Sequence, residues 1–429
     1  MKKKVLLALC LAAMVCALSA CSSFSVSGMD AMFRDTTGNR QLQTGTEPAA
    51  SETKSAPEGD TVTISREEYE RYKQFDDVLQ LMDAAQLYFY QDVDKNKMLE
   101  GAAAGALKGL DDPYTFYYNP EQWKKMWEDD KGEYAGIGVM ITADYSTGLC
   151  TITRVFRGSP AEEVGVRRGD ILYKVNGELT VTAENLQDAV DIMRGTPGTT
   201  VDVTFIRDSD ELTLTINRAN VVVNQIESTL LDDEIGYIAM YQFAGECEKE
   251  FEQAFNELKS RGMKGLIFDL RDNPGGWVDA AQYIADLFLD AGDLCTLVYR
   301  DGSEEHPYPL KDGKTELPMV ILVNENTASS SEILTAALSE RAGATVVGVK
   351  TYGKGIVQSV MPVGNEGAGF QITIAQYHTP DGNALHKVGI SPDVEIPLEK
   401  GDNGSYQFAD VEKDTQLKKA LETLKEKMD

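Results

Sequence analysis

Lys264-Gly265-Leu266-Ile267-Phe268-Asp269-Leu270-Arg271-Asp272-Asn273-Pro274-Gly275-Gly276-Trp277-Val278 holds the change of pattern that decides the fold. Residues 264–270 are an apolar run of strand length. A strand of that kind is buried on both faces, as in a parallel sheet. Asn273-Pro274-Gly275-Gly276 supplies turn residues. From Val278 to Leu289 the apolar positions recur at helical spacing. The unit repeats on both sides. Strands are expected at Ile235–Met240, Met319–Asn324 and Thr345–Val349, and helices at Cys247–Arg261 and Ser329–Arg341. Strands alternating with helices imply an α/β core on a largely parallel sheet, with its site in the loops at one edge.

Upstream, residues 132–218 read differently. Gly136-Ile137-Gly138-Val139 opens a strand, and Ser159-Pro160 opens a short helix with proline at its first position. Asn176-Gly177 is a hairpin turn, and Val201, Val203 and Phe205 alternate as a strand. Two stretches here, SPAEEVGVRRGDILYKVNG and MRGTPGTTVDVTFIR, resemble a bacterial PDZ domain. That resemblance makes Gly136, Ile137, Gly138 and Val139 the loop whose backbone N–H groups surround a chain-terminal carboxylate.

Further out lie the ends. Ser65-Arg66-Glu67-Glu68 is a capping box; Tyr69, Tyr72, Leu79, Met82 and Gln86 follow near helical spacing, and a second helix is expected over Lys97–Leu110. Thr415–Lys427 reads as a terminal helix with Leu417, Leu421 and Leu424 on one face. Residues 22–61 are rich in Ser, Thr, Gly, Pro and Glu, a composition that cannot bury a core and reads as a tether. Lys2, Lys3 and Lys4, the apolar run Val5–Leu18 and Leu18-Ser19-Ala20-Cys21 form a secretory leader. Its last four residues resemble a bacterial lipobox, which implies lipidation at Cys21 and anchoring of the chain to a membrane outside the cytoplasm. The expected order is leader 1–20, tether 21–62, helical segment 63–131, PDZ domain 132–218, α/β core 219–398 and helical tail 399–429.

Composition narrows the function. The chain of 429 residues carries 41 basic and 69 acidic residues, a formal net charge of −28, so its bulk surface repels phosphate backbones and no nucleic-acid partner is expected. Three histidines, His306, His378 and His386, leave little for a multi-histidine metal centre, and no metal or organic cofactor is expected. With no histidine before His306, a His-Asp-Ser protease domain preceding the PDZ segment is excluded. Cys150, Cys247 and Cys295 are too widely spaced for a disulfide framework and read as buried fillers.

Three loops then carry the chemistry. They are Asp269–Gly276, Asn324–Glu332 with its serines Ser329, Ser330 and Ser331, and Thr351-Tyr352-Gly353-Lys354-Gly355-Ile356-Val357-Gln358. Each alone is an ordinary loop; Ser329-x-x-Glu332 is a helix capping box. Together they supply a nucleophile, a base and backbone donors. A serine at a helix N-terminus has free N–H groups beside it, and glycines let a second loop approach. No histidine sits nearby, so Lys354 is the candidate base, provided burial favours its neutral amine.

These motifs, with GLDDPYTFYY and YHTPDGNALHKVGISPDVEIP, resemble the C-terminal processing peptidases, also called tail-specific proteases, over about Leu87 to Pro397. The resemblance implies a crotonase-like or Clp-protease-like α/β core with a PDZ domain placed within it. It implies a serine endopeptidase that takes protein substrates with free C-termini. Carried over by motif, Ser329 is the nucleophile, with Ser330 beside it as an alternative, Lys354 the base and Gln358 its orienting partner. The N–H groups of Ser330 and of Gly275 or Gly276 form the oxyanion hole. Arg167 is a sensor candidate in the PDZ segment, with Arg168 as its neighbour. As in some relatives, terminal helices pairing in a homodimer are implied. A non-catalytic PDZ scaffold is the rival reading, and the joint presence of Ser329, Lys354 and Gln358 argues against it.

Overall fold

The computed structural model describes residues 62–130, 132–145, 147–311, 315–364, 367–397 and 411–428. The leader, Cys21 and nearly all of the tether lie outside the described residues. The chain divides into two compact units, one of residues 24–117 and one holding residues 118–429.

The first unit is helical where described. Ser65 caps Arg66–Lys73, and Glu68 returns the bond to the Ser65 N–H. The pattern predicted one helix through Gln86. The structure breaks it at Gln74-Phe75, where the Phe75 N–H bonds to the Tyr72 carbonyl, and restarts it as Asp76–Tyr88. The next helix is Lys95–Lys108, two residues earlier than expected, because the Asp94 carboxylate caps the N–H groups of Asn96 and Lys97.

In the second unit, the α/β core is built on a six-stranded sheet in the order Ile226–Leu231, Ile235–Met240, Gly265–Asp269, Met319–Val323, Thr345–Gly348, Val394–Glu395. The first pair is antiparallel and the other four are parallel. Every residue of strands Ile235–Met240, Gly265–Asp269 and Met319–Val323 is buried, as largely apolar runs require, and the charged Asp269 is met by Arg271 and the Tyr237 hydroxyl. On one face Leu417, Ala420, Leu421 and Leu424 of the tail helix Thr415–Met428 pack on Tyr237, Ile267, Val320 and Val347. On the other, Phe251 of helix Cys247–Ser260 meets Phe268 and Phe288. A second sheet, not foreseen from the sequence, contains the long hairpin Ile356–Val363 and Ala368–His378, with a bulge between Val357 and Gln358.

Residues 139–217 form a separate sheet of strands Val139–Asp144, Leu149–Val155, Ile171–Val175, Thr200–Arg207 and Asp210–Asn217, with Leu179–Thr180 at its side. Its core is apolar: Ile137, Cys150, Ile152, Leu172, Val203, Phe205 and Ile216. Asn176 and Gly177 both have positive φ, 50° and 70°, which makes the predicted hairpin turn. Ser159 caps the four-residue helix that begins at Pro160. Arg154 joins this sheet to the α/β core. Its side chain is buried, bonds to Glu227 at 2.9 Å and to the Asn224 carbonyl, and lies 3.7 Å over the Tyr241 ring. Cys150, Cys247 and Cys295 are buried and unpaired, and burial pushes each thiol up in pKa.

Candidate active site

The three loops meet at the carboxyl edge of the main sheet. The glycine loop follows strand Gly265–Asp269, the serine turn follows Met319–Val323, and the lysine loop follows Thr345–Gly348. Parallel strands bring their ends to one edge, so loops far apart in sequence become neighbours.

The serine turn is held by side chains rather than by periodicity. Thr327 Oγ1 donates to the Leu270 carbonyl at 2.8 Å and accepts from the Asn324 N–H at 3.0 Å, tying the turn to the glycine loop. Ser329 has φ 57° and ψ −121°, a conformation that a non-glycine residue takes only when its surroundings impose it. Helix Ser330–Ala342 begins directly after it. The three serines then separate by role. Ser330 Oγ donates to the Gly276 carbonyl at 2.7 Å, and Ser331 Oγ to the Asn273 carbonyl at 3.1 Å. Both hydroxyls are fully buried and committed to the glycine loop. Ser329 is 4% exposed and packs against Gly275, where a Cβ would lie 2.8 Å from its own Cβ.

Glu332 is the residue whose part in the site the sequence reading missed. It was legible as a cap: the Ser329 N–H donates to its Oε2 at 2.9 Å. The same carboxylate also accepts from the Lys354 N–H at 2.8 Å, the Gly353 N–H at 2.8 Å and the Thr351 hydroxyl. One fully buried side chain therefore fixes the serine turn against the lysine loop. Burial lifts its carboxyl above the usual range, and the four donors oppose that lift.

Lys354 is 4% exposed, so the amine lies in the protein rather than at a solvated loop tip. Gln358, also buried, turns its Nε2 toward the Thr373 hydroxyl at 3.3 Å and the Ile356 carbonyl at 3.5 Å. A carbonyl only accepts, so the amide nitrogen belongs on that side and Oε1 faces away from it.

In the glycine loop Gly275 and Gly276 have φ 96° and 144°, and a Cβ on Gly276 would sit 2.1 Å from the Phe243 carbonyl oxygen. Only glycine fits there. The Gly275 N–H is bonded to Asn273 Oδ1 at 2.9 Å. Among the described residues the N–H groups of Gly276 and Ser330 have no protein acceptor. Of the two glycine donors expected from the sequence, Gly276 is the one left open. Arg271 anchors the loop from below. Burial opposes its charge, but Asp269 at 2.6 Å and Asp414 at 2.8 Å more than offset it and hold the guanidinium firmly protonated. Asp414 also caps the tail helix, accepting from the Leu417 N–H at 2.9 Å.

Gly136–Val139 forms a tight loop between strand Glu133–Gly136 and strand Val139–Asp144. A Cβ on Gly138 would lie 2.2 Å from the Ser159 Cβ. The phenol of Tyr134 lies over this loop. Burial raises its pKa, while Arg194, 5.1 Å from the ring centroid, and the N–H groups of Val139 and Gly138 draw it down. Neither Tyr134 nor Arg194 was singled out in the sequence. Arg167 is exposed, and its backbone N–H donates to Asp170 at 2.8 Å. Arg154 and Arg168 of this segment both oppose the upward shift that burial imposes on the phenol of Tyr241 in the α/β core.

Family models match three stretches: peptidase family S41 at residues 234–396, a PDZ domain at 151–207, and the activating protease CtpB N-terminal domain at 35–122. The carboxy-terminal processing protease CtpA of Bacillus subtilis is 36% identical over 327 residues, covering 76% of this chain and 69% of that protein. The carboxyl-terminal-processing protease of Synechocystis is 36% identical over 328 residues, covering 74% of this chain and 75% of the relative. A putative S41 protease from Bacteroides fragilis shares the fold with a TM-score of 0.54 at 16% identity, over 76% of this chain and 90% of that one.

Proposed function

From the premise that the chain belongs to peptidase family S41, as a carboxyl-terminal processing serine protease with a PDZ domain, we propose that it cuts by a Ser-Lys acyl-enzyme mechanism at Ser329. The observation that carries the assignment is the division of the serines. Ser330 and Ser331 spend their hydroxyls on the glycine loop, while Ser329 lies in the strained turn against Gly275.

In this mechanism neutral Lys354 Nζ takes the proton from Ser329 Oγ as the oxygen attacks the scissile carbonyl carbon. The carbonyl π electrons move onto oxygen, and the N–H groups of Gly276 and Ser330 stabilise that oxyanion. Collapse of the tetrahedral species expels the amine, which receives the proton from Lys354, and leaves an ester on Ser329. Water, deprotonated by the same lysine, attacks the ester; collapse then releases the new carboxyl end and returns a proton to Ser329. Gln358 Oε1 accepts from the lysine and holds it in line. The closed environment of Lys354 supports this role, because burial disfavours a charged ammonium.

The reading extends to recognition and place. The loop Gly136–Val139 takes a substrate's terminal carboxylate on backbone N–H groups while the tail adds as a strand. The organisation we assign is leader 1–20, tether 21–62, helical segment 63–131, PDZ domain 132–218, peptidase core 219–398 and tail 399–429. Lipid on Cys21 anchors the enzyme outside the cytoplasm, and its terminal helices pair two copies.

The test is labelling and turnover. Ser329→Ala should lose cleavage by about 10^4-fold or more and lose covalent labelling by a serine-directed peptide boronate, while Ser330→Ala and Ser331→Ala keep measurable turnover. Full turnover in Ser329→Ala would overturn the assignment. Cys21→Ser should release the protein from membranes.

A further inference from the structure

Asn273 is fully buried between the glycine loop and the serine turn, and every polar group it owns is bonded. Its Nδ2 donates to the Met240 carbonyl at 2.9 Å and its Oδ1 accepts the Gly275 N–H at 2.9 Å. Its own N–H donates to the Leu270 carbonyl at 3.2 Å, and its carbonyl accepts from the Ala328 N–H at 3.0 Å and from Ser331 Oγ at 3.1 Å.

The peptides that follow are pinned one group at a time. The Gly275 carbonyl accepts from the Phe243 N–H at 3.0 Å, and the Trp277 N–H donates back to the Phe243 carbonyl at 2.9 Å. The Gly276 carbonyl accepts from Ser330 Oγ. One donor remains open in this stretch, the Gly276 N–H. In a trans peptide the N–H and C=O point in opposite directions. The Gly275 carbonyl aims at Phe243, so the Gly276 N–H aims away from it. Two consecutive glycines at positive φ have no Cβ to stop that peptide from turning over. The brake has to come from hydrogen bonds, and Asn273 supplies the first of them.

We propose that Asn273 is the positioning residue of the oxyanion site: by holding the Gly275 N–H against the Met240 carbonyl strand, it keeps the Gly276 N–H turned out to meet the developing oxyanion beside the Ser330 N–H. This rests on the reading of Ser329 as nucleophile. Asn273 touches no reacting atom. Its work is to consume the donor on one side of Gly275 so that the donor on the other side stays available. Its loss frees the Gly275 N–H and lets the glycine pair sample the turned peptide. The transition state loses a donor while ground-state peptide binding, which uses other groups, does not.

The experiment uses the full chain with Asn273→Ala and Asn273→Ser, the second keeping a hydroxyl that can serve one of the two partners. For each, kcat and KM on one peptide, the inhibition constant of the matching peptide boronic acid and an active-site titration are measured. The boronate adduct on Ser329 carries a tetrahedral oxygen where the oxyanion forms; the parent peptide product does not. Asn273→Ala should lower kcat by roughly a hundredfold with KM within about threefold, weaken the boronate by the same factor and leave the titrated fraction of active enzyme near that of wild type. Asn273→Ser should fall between. If instead the titrated fraction drops while the surviving enzyme keeps wild-type kcat, or boronate and product weaken together, Asn273 serves the fold and the proposal fails. Failure of both variants to fold would have the same meaning. Ser329→Ala is the separate control: a boronate that binds it as tightly as wild type would sink the nucleophile assignment itself, whatever Asn273 does.

Discussion

The PDZ sheet and the edge of the α/β core to which we assign catalysis hold themselves together by opposite means. In the sheet, Ile152, Leu172, Val203, Phe205 and Ile216 fill an interior with almost no polar atoms. At the catalytic edge, Asn273, Thr327, Ser330, Ser331 and Glu332 are as deeply buried, yet each is polar and hydrogen-bonded. Apolar packing is non-directional and degrades by increments. A buried polar network is directional: removing one partner strands another and costs the full desolvation of the stranded group. The binding module should therefore tolerate change that the catalytic edge does not.

After loss of the nucleophile, the largest effect is expected at the base. Lys354→Arg keeps the charge but cannot give it up, so kcat/KM should fall by about 10²–10⁴-fold. In the wild-type enzyme the same parameter should rise with pH as the lysine becomes neutral. An active arginine variant would show that the position supplies charge, and the contrast between the two regions would lose its chemical basis.

Glu332→Gln comes next. The amide can accept at one oxygen only, leaving two of the four donors facing an NH2 group, at about 1–3 kcal/mol for each stranded donor. The urea midpoint should drop accordingly. Its pH dependence has a defined sign. Because burial raises the folded pKa of Glu332 above its unfolded value of 4.5, its share of stability is fully present below that value and is lost as pH rises through the folded pKa. The gap between wild type and Glu332→Gln should narrow on going from acid to neutral pH; a widening gap would mean that the donors, not burial, dominate the carboxyl.

Amidating a substrate's C-terminus is a smaller perturbation. It replaces a carboxylate with a group that turns donors toward the N–H groups of the Gly136–Val139 loop. A charge-assisted bond lost there is worth about 1.5–3 kcal/mol, roughly ten- to a hundredfold in cleavage below saturation. Equal rates for paired free and amidated peptides would detach the PDZ segment from substrate choice. The smallest effect is Ile152→Val, at about 0.5–1.5 kcal/mol of stability, with boronate labelling of Ser329 unchanged. A loss as large as that of Glu332→Gln would erase the distinction between the two regions.

The same distinction explains what could be read from the chain. Runs buried on both faces announced Ile235–Met240, Gly265–Asp269 and Met319–Val323, and Asn176-Gly177 announced its turn, because these features are local. Helix Ser330–Ala342 was read from the alternation of strands and helices, although burial of residues 330–338 leaves it no amphipathic stripe. Glu332 looked like a cap because its partners at Thr351, Gly353 and Lys354 come from another loop. Asn273 looked like a turn residue for the same reason. The hairpin Ile356–His378 alternates poorly because its bulge shifts the register at Gln358. Arg271 gave no hint of Asp414, which stands 143 residues later in the chain.

That last separation sets a clock. Chains leave the ribosome from the first residue onward. The glycine loop and the serine turn are complete long before Asp414 arrives, and until then Arg271 carries a buried charge facing Asp269 alone. The anchor that settles the loop is delivered with the cap of helix Thr415–Met428, 143 residues behind the guanidinium it holds. Synthesis has to pass Asp414 before Arg271 is held by two carboxylates, and a chain cut short of that residue would leave the guanidinium paired to Asp269 without its second anchor.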